Sequence, residues 1–187
     1  MSTGRLVAVV GPSGAGKDSI LRYAKQQFRN DERFAFPRRV VTRVADVATE
    51  DHDSVDVNGF NAMALSGAFA LSWSAHGLKY GVAKEIEADL RCDRVVSINL
   101  SRTILTEAER RFVNLMVVEV LAAPDVIAAR IASRGREVAD EALERTRRSV
   151  PTYPSSLTVH RIRNDGSLVE AGEAFCALLE SAAAVRA

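Results

Sequence analysis

The chain has 187 residues, 47% hydrophobic and 26% charged, and its 25 Lys and Arg against 24 Asp and Glu give a formal net charge of +1. That size fits one compact domain with a sizeable core, and the balanced charge gives no global argument for a nucleic-acid or membrane partner. Cys92 and Cys176 stand too far apart for metal-ligand spacing, and no apolar run reaches membrane-spanning length. A soluble cytoplasmic protein with reduced thiols is therefore the expectation.

The first element is an apolar strand from Leu6 to Val10, too short for a signal-peptide core. It runs into Gly11-Pro12-Ser13-Gly14-Ala15-Gly16-Lys17-Asp18-Ser19, which completes the spacing G-x-x-x-x-G-K but carries Asp18 where Ser or Thr is usual. Glycines let backbone N–H groups approach a polyanion, and the positive end of a following helix completes an anion site. Lys17 is then the charge expected on the β- and γ-phosphates of a nucleoside triphosphate, ATP in the simplest reading, with residues 11–19 as its cradle. The hydroxyl usual at position 18 is a Mg²⁺ ligand. A carboxylate can hold that metal or one of its waters, or it can merely complement the helix N-terminus. Ser19 is turned about 100° away around the helix and does not replace the hydroxyl.

Beyond the loop, helical spacing from Asp18 to about Phe28 puts Ile20, Leu21, Ala24 and Phe28 on one face. The basic run 38–43 reads as a short strand, and alternation places Arg39 and Arg43 on one face of it. Residues 45–56 form an acidic, polar loop leading to a weak strand, and Asn58 is the expected cap of a short helix through Leu65, closed by Gly67. Phe69 to Ser74 reads as a strand and His76-Gly77 as a turn, followed by Tyr80 and a helix from about Ala83 to Arg91. Taken singly, His52 and His76 read as surface or hydrogen-bonded residues.

The second half returns to plain alternation: strand Val95 to Leu100, helix Thr103 to Arg111, strand Leu115 to Leu121, and a helix from Pro124 through Ser133. Gly135 breaks that helix, an amphipathic helix spans roughly Asp140 to Ser149, and strand Val159 to Arg163 precedes a closing helix from Ser167 to Ala184. Strands alternating with helices after a phosphate loop imply a parallel sheet with helices on both faces. The fold class expected is α/β, a three-layer P-loop NTPase sandwich. One domain spans 1–187, with a core of 1–34 and 85–187, a small acceptor-binding excursion at about 35–84 and a lid at about 134–145. Arg130, Arg134, Arg136 and Arg145 gather near that lid, and Arg130 and Arg134 share a helix face. Arginines stabilise the charge spread over a transferring phosphoryl group, and a glycine break suits a hinge that excludes water.

These motifs together resemble the guanylate kinase-like branch of P-loop kinases. The resemblance runs through the loop, Thr42-Arg43, Phe69 to Trp73, Tyr80-Gly81, Arg130 to Gly135 and Asn164-Asp165. In guanylate kinases two arginines and two tyrosines hold the acceptor phosphate, and Arg43 and Tyr80 match one of each. The second arginine position falls at Asp46, the guanine-reading glutamate at Ser72, the hydroxyl after Tyr-Gly at Val82, and the acid after the next strand at Asn99. A site that loses its buried base-reading partners loses affinity for that base, so the donor half is retained and the acceptor half has changed.

The chain is more closely similar to the ribose 1,5-bisphosphate phosphokinases of phosphonate catabolism. It shares Gly-Lys-Asp-Ser with the same aspartate, Leu71-Ser72-Trp73, Gly77-Leu78-x-Tyr80-Gly81-Val82, Arg134-Gly135-Arg136-Glu137 and Asn164-Asp165-Gly166-Ser167. That resemblance implies ATP- and Mg²⁺-dependent phosphorylation of a phosphorylated sugar, ribose 1,5-bisphosphate, to 5-phosphoribosyl 1-diphosphate. It also implies Lys17, Arg130 and Arg134 at the transferring group, Asp18 at the metal, Asn164 and Asp165 near the adenine, and Arg39, Arg43, Tyr80, His76 and Arg145 at the acceptor. A guanylate or other nucleoside monophosphate kinase is the rival enzyme. A binding module that has lost catalysis is the rival of another class, against which the intact glycines and Lys17 argue. A kinase acting on a sugar hydroxyl would need a general base, and none stands out.

Overall fold

The computed structural model describes residues 4–43, 51–75, 77–132, 153–154 and 156–184. Its centre is a five-stranded, all-parallel sheet built from β1 (Arg5–Val10), β2 (Phe34–Ala35), β7 (Val95–Asn99), β8 (Leu115–Leu121) and β9 (Val159–Arg163), in the order β2-β7-β1-β8-β9. The three middle strands carry nearly continuous apolar runs because both of their faces are covered. On one face α1 (Lys17–Gln27) and α6 (Leu168–Ala184) bury Ile20, Ala24, Phe175 and Leu179 against Val7, Val9 and Val118. On the other, α3 (Ile86–Arg91) and α4 (Leu105–Arg111) bury Ile86, Leu90, Leu105 and Ala108 against Leu6, Ala8 and Val117. The chain is thus a three-layer α/β sandwich, with α5 (Pro124–Ala132) following β8.

Residues 39–83 hold a second, mixed sheet of β3 (Arg39–Val41), β4 (His52–Ser54), β5 (Phe69–Ala75) and β6 (Leu78–Ala83), in the order β4-β3-β6-β5. β3 pairs parallel with β4 and antiparallel with β6, and β5 and β6 form an antiparallel hairpin. Between β4 and β5 lies α2 (Val57–Leu65), whose Phe60 ring stacks on Phe69 at 4.7 Å.

Several local expectations need correcting. The cap of α2 is Asp56, not Asn58: its carboxylate accepts a hydrogen bond from the Gly59 N–H, and this satisfies a first-turn donor. Residues 83–85 are not helical, because the chain to Ala83 is committed to β6, and α3 begins at Ile86. Gly81 makes that strand hard to read, yet a Cβ there would come within 2.4 Å of the Phe69 ring, so glycine lets the hairpin close over the aromatic pair. β2 is a two-residue edge strand without a sequence signal of its own, and a 3-10 turn (Arg102–Ile104) precedes α4. Gly135, Asp46 and the expected helix 140–149 lie outside the described residues.

Candidate active site

The loop between β1 and α1 sits at the carboxyl end of the parallel strands, where open α/β sheets place their ligands. Gly16 caps α1 in the left-handed region at φ 92 and ψ 21, a conformation that glycine adopts without steric cost. Space forbids a side chain there as well, since a Cβ would lie 2.3 Å from Asn164 Nδ2. Asn164, buried at the end of β9, donates from that nitrogen to the Ala15 carbonyl at 2.8 Å, and Arg130 Nη1 on α5 reaches the same oxygen at 3.5 Å. Two side chains more than a hundred residues further along the chain therefore meet on one peptide of the loop. Lys17 Nζ arches over the loop and donates to the Gly11 and Pro12 carbonyls at 2.9 and 2.8 Å. Ser13 and Gly14 form the turn closed by the Ala15 N–H on the Pro12 carbonyl, Gly14 faces α5, and Ser19 is half-buried in the first turn of α1.

Asp165 follows Asn164 and fixes the neighbouring backbone. Its Oδ1 accepts the Ala123 N–H, which with the Arg163 guanidinium at 2.7 Å holds the carboxyl below its ordinary value. Through Ala123 it braces the segment that leads into α5.

Asp18 occupies the first turn of α1 and faces away from the loop, toward the second sheet. Its Oδ1 accepts a hydrogen bond from Asn99 Nδ2 at 3.1 Å and lies 3.7 Å from the Arg39 guanidinium. Asn99 ends β7 and is buried, and the Arg39 side chain is only 11% exposed. On its other side the Arg39 guanidinium lies 5.6 Å over the Tyr80 ring, which stacks on Trp73 with centroids 5.3 Å apart and planes 7° from parallel. The register explains the stack. Trp73 is directly opposite Tyr80 across the hairpin and Tyr80 is opposite Val41, so these side chains share the face that carries Arg39.

Arg43 is placed differently from the strand expectation. β3 ends at Val41, and Thr42 and Arg43 lie in a bend, so alternation does not set the direction of Arg43. Just past that end Thr42 stays tied to β6, its Oγ1 accepting the Lys79 N–H at 2.8 Å and its own N–H donating to the Lys79 carbonyl at 3.0 Å. His52 is also corrected: it is 2% exposed on β4, inside the second sheet rather than on its surface. His76, Arg134, Arg136 and Arg145 lie outside the described residues.

Four side chains that the sequence reading left out of the site stand beside it: Trp73, Ser97, Asn99 and Glu119. The signal for three of them was present, as single polar residues interrupting otherwise apolar strands that end at the loop. Among the described residues no group of three or more His, Cys, Asp or Glu side chains is assembled for a metal. The Asp18 carboxylate, an oxygen donor beside a phosphate loop, fits a hard divalent cation that keeps phosphates and waters as its other ligands.

No family profile matches the chain. It is 46% identical over 184 residues to the ribose 1,5-bisphosphate phosphokinase PhnN of Burkholderia mallei, covering 98% of this chain and 99% of that one. It is 40% identical over 178 residues to the PhnN of Agrobacterium fabrum, covering 95% of this chain and 97% of the relative. A crystal structure of guanylate kinase from Anaplasma phagocytophilum superposes with a TM-score of 0.69 at 15% identity, over 98% of this chain and 88% of that one. At that identity the likeness concerns the fold.

Proposed function

The chain belongs to the ribose 1,5-bisphosphate phosphokinase family and is a kinase, and on that premise we propose that it transfers the γ-phosphoryl group of ATP to the 1-phosphate of ribose 1,5-bisphosphate. The products are 5-phosphoribosyl 1-diphosphate and ADP, and the cellular setting proposed is phosphonate degradation. The observation that carries the reading is the approach of the two halves of the site. The Asp18 carboxylate, one residue after the loop lysine, stands 3.7 Å from Arg39 of the second sheet. A donor phosphate on the loop and an acceptor phosphate on Arg39 would thus meet across Asp18.

In the step proposed, an acceptor phosphate oxygen attacks the γ-phosphorus and the bond to the β–γ bridging oxygen breaks, leaving ADP. A phosphate monoester has a second pKa near 6, so the nucleophile is already anionic at neutral pH and no general base is required. What remains is alignment and charge neutralisation. Lys17 and residues 11–19 would hold the β- and γ-phosphates, and Arg130 would stand beside them, anchored to the loop through Ala15. Arg134 would join it from the segment outside the described residues, where the lid at about 134–145 and Arg145 are also proposed. Asn164 and Asp165 would border the adenine. A P-loop kinase works with a divalent metal; we take it to be Mg²⁺, held through Asp18, and its charge would offset that of the phosphates. Residues 35–84 would form the acceptor-binding part, with Arg39, Arg43, Tyr80 and His76 toward the acceptor.

The test is to follow ADP release with ATP and Mg²⁺ in the presence of either ribose 1,5-bisphosphate or GMP. Turnover with the bisphosphate and little with GMP is expected, because buried Val82 stands where a base-reading hydroxyl would be. A protein that binds ATP but yields no ADP with the bisphosphate would overturn the proposal.

A further inference from the structure

A pocket opens between α1 and the chain leading into β3, next to the proposed point of phosphoryl transfer. At its inner end stand Asp18, Arg39 and Asn99; along its wall are Leu21 and Phe36; at its outer rim are Arg22, Lys25 and Asp51. Its floor is Ser97 of β7. That side chain is 1% exposed, and its hydroxyl has no hydrogen-bond partner among the described residues. A buried hydroxyl without a partner is costly, and here it faces a pocket rather than packed apolar atoms.

The charges of the rim are unevenly matched. Asp51 is met by two cations, Lys25 at 3.0 Å and Arg38 at 2.9 Å, and Asp18 is met by Arg39. Arg22, exposed on α1, is within electrostatic reach of Asp51 but forms no ion pair at contact distance among the described residues, Asp51 being taken by Lys25 and Arg38. The pocket therefore carries an excess of positive charge at the end away from the loop. Asp18 and Arg22 are four residues apart on α1, so they share a face with about 6 Å of rise between them. One sugar ring separates the two phosphates of a ribose bisphosphate, and the pocket offers a cation at each end with a hydroxyl between.

We propose that this pocket holds the acceptor's second, unreacting phosphate on Arg22, with the Ser97 hydroxyl meeting the sugar between the two phosphates. The assignment rests on the acceptor being a phosphorylated sugar with two phosphates. It makes Arg22 a specificity residue: a guanidinium offers a phosphate two parallel N–H donors, and an acceptor lacking the distal phosphate leaves it unused.

The experiment uses the full chain with Arg22→Gln and Ser97→Ala. It reads KM for ribose 1,5-bisphosphate, KM for ATP, and the competitive inhibition constant of ribose 5-phosphate, which carries only the unreacting phosphate. For Arg22→Gln the first and third are expected to rise roughly 10- to 100-fold with KM for ATP unchanged, the range for a lost charged hydrogen bond. Ser97→Ala is expected to raise the same two constants by a smaller factor. Unchanged constants for both acceptor-side ligands in Arg22→Gln, or an equal rise in KM for ATP, would overturn the assignment. Should the unmodified protein bind ATP yet fail to turn over the bisphosphate, the proposed function falls. Calorimetric binding of ribose 5-phosphate to the unmodified and Arg22→Gln proteins then decides the pocket by itself: weaker binding to the variant supports it, and equal binding or none overturns it.

Discussion

At the scale of single residues, Asp18 joins the two halves of the site. Two nitrogen groups meet its carboxylate from different elements, Asn99 of β7 and Arg39 of β3. A carboxylate in a first helical turn is favourable on its own account, which would explain its presence without any metal. Asp18→Asn separates the two roles. The amide keeps the shape and can still bond with Asn99, but it takes a charge away from the mostly buried Arg39 guanidinium, so a stability loss of about 1–2 kcal/mol is expected. If the charge serves a divalent metal, turnover should fall by roughly 10- to 100-fold, the scale of a weakened metal ligand set. The Mg²⁺ concentration giving half-maximal rate should rise as well. A Mg²⁺ titration of initial rates checks this; an unchanged half-saturation would leave Asp18 as a bridge between α1 and the second sheet.

At the scale of elements, the β5–β6 hairpin sets where Arg39 points, because Trp73 backs Tyr80 and Tyr80 backs the guanidinium. Trp73→Ala removes the first ring of the stack and lets Tyr80 rotate. The expected result is a roughly tenfold rise in KM for the acceptor, about the value of an aromatic pair plus a partly buried cation–π contact, with KM for ATP unchanged. Trp73→Phe should recover most of the loss, and an equal effect on ATP would contradict the assignment. Trp73 is the only tryptophan in the chain, so its fluorescence should also change when the acceptor binds. The hairpin also shows where sequence reading stops. The loop, Lys17 and the α/β alternation are legible because each is a local pattern of glycine, charge or apolar period. The strand β6 is not, because Gly81 reads as a breaker until the Phe69 ring that replaces its side chain is in place. Nor is the meeting of Asn164, Arg130 and Ala15 legible, since the contact exists only once β8, β9 and α5 are assembled. The same holds for Ser97, whose single hydroxyl in an apolar strand becomes a pocket floor only when α1 and the approach to β3 stand over it.

At the scale of the whole molecule, one buried carboxylate connects the parallel sheet to the second sheet. Glu119 of β8 is 2% exposed; it takes Arg161 of β9 at 3.2 Å and Arg102 of the 3-10 turn at 3.3 Å, and that turn packs on β5. Burial pushes the Tyr153 hydroxyl beside them well above the usual phenol range, and the nearby Glu119 carboxylate adds to the shift. The two arginines are not equally committed to the interior, since their side chains are 29% and 62% exposed. This asymmetry decides which deletion matters. Without Glu119 the Arg161 guanidinium, the more exposed, can turn to water and Arg102 can do so only in part, so Glu119→Leu should cost about 1 kcal/mol, less than a stranded buried carboxylate. Without both arginines the carboxylate is left buried and unpaired, and the Arg102→Ala, Arg161→Ala double variant should lose about 3–5 kcal/mol. Urea unfolding of the three proteins at pH 7 gives the order directly, and a Glu119→Leu protein less stable than the double variant would refute the argument. Activity supplies the second reading. If Glu119 orients the turn beneath β5, Glu119→Leu should lower kcat/KM for the acceptor while its unfolding midpoint stays near that of the unmodified chain. Stability and acceptor use would then come apart in a single substitution.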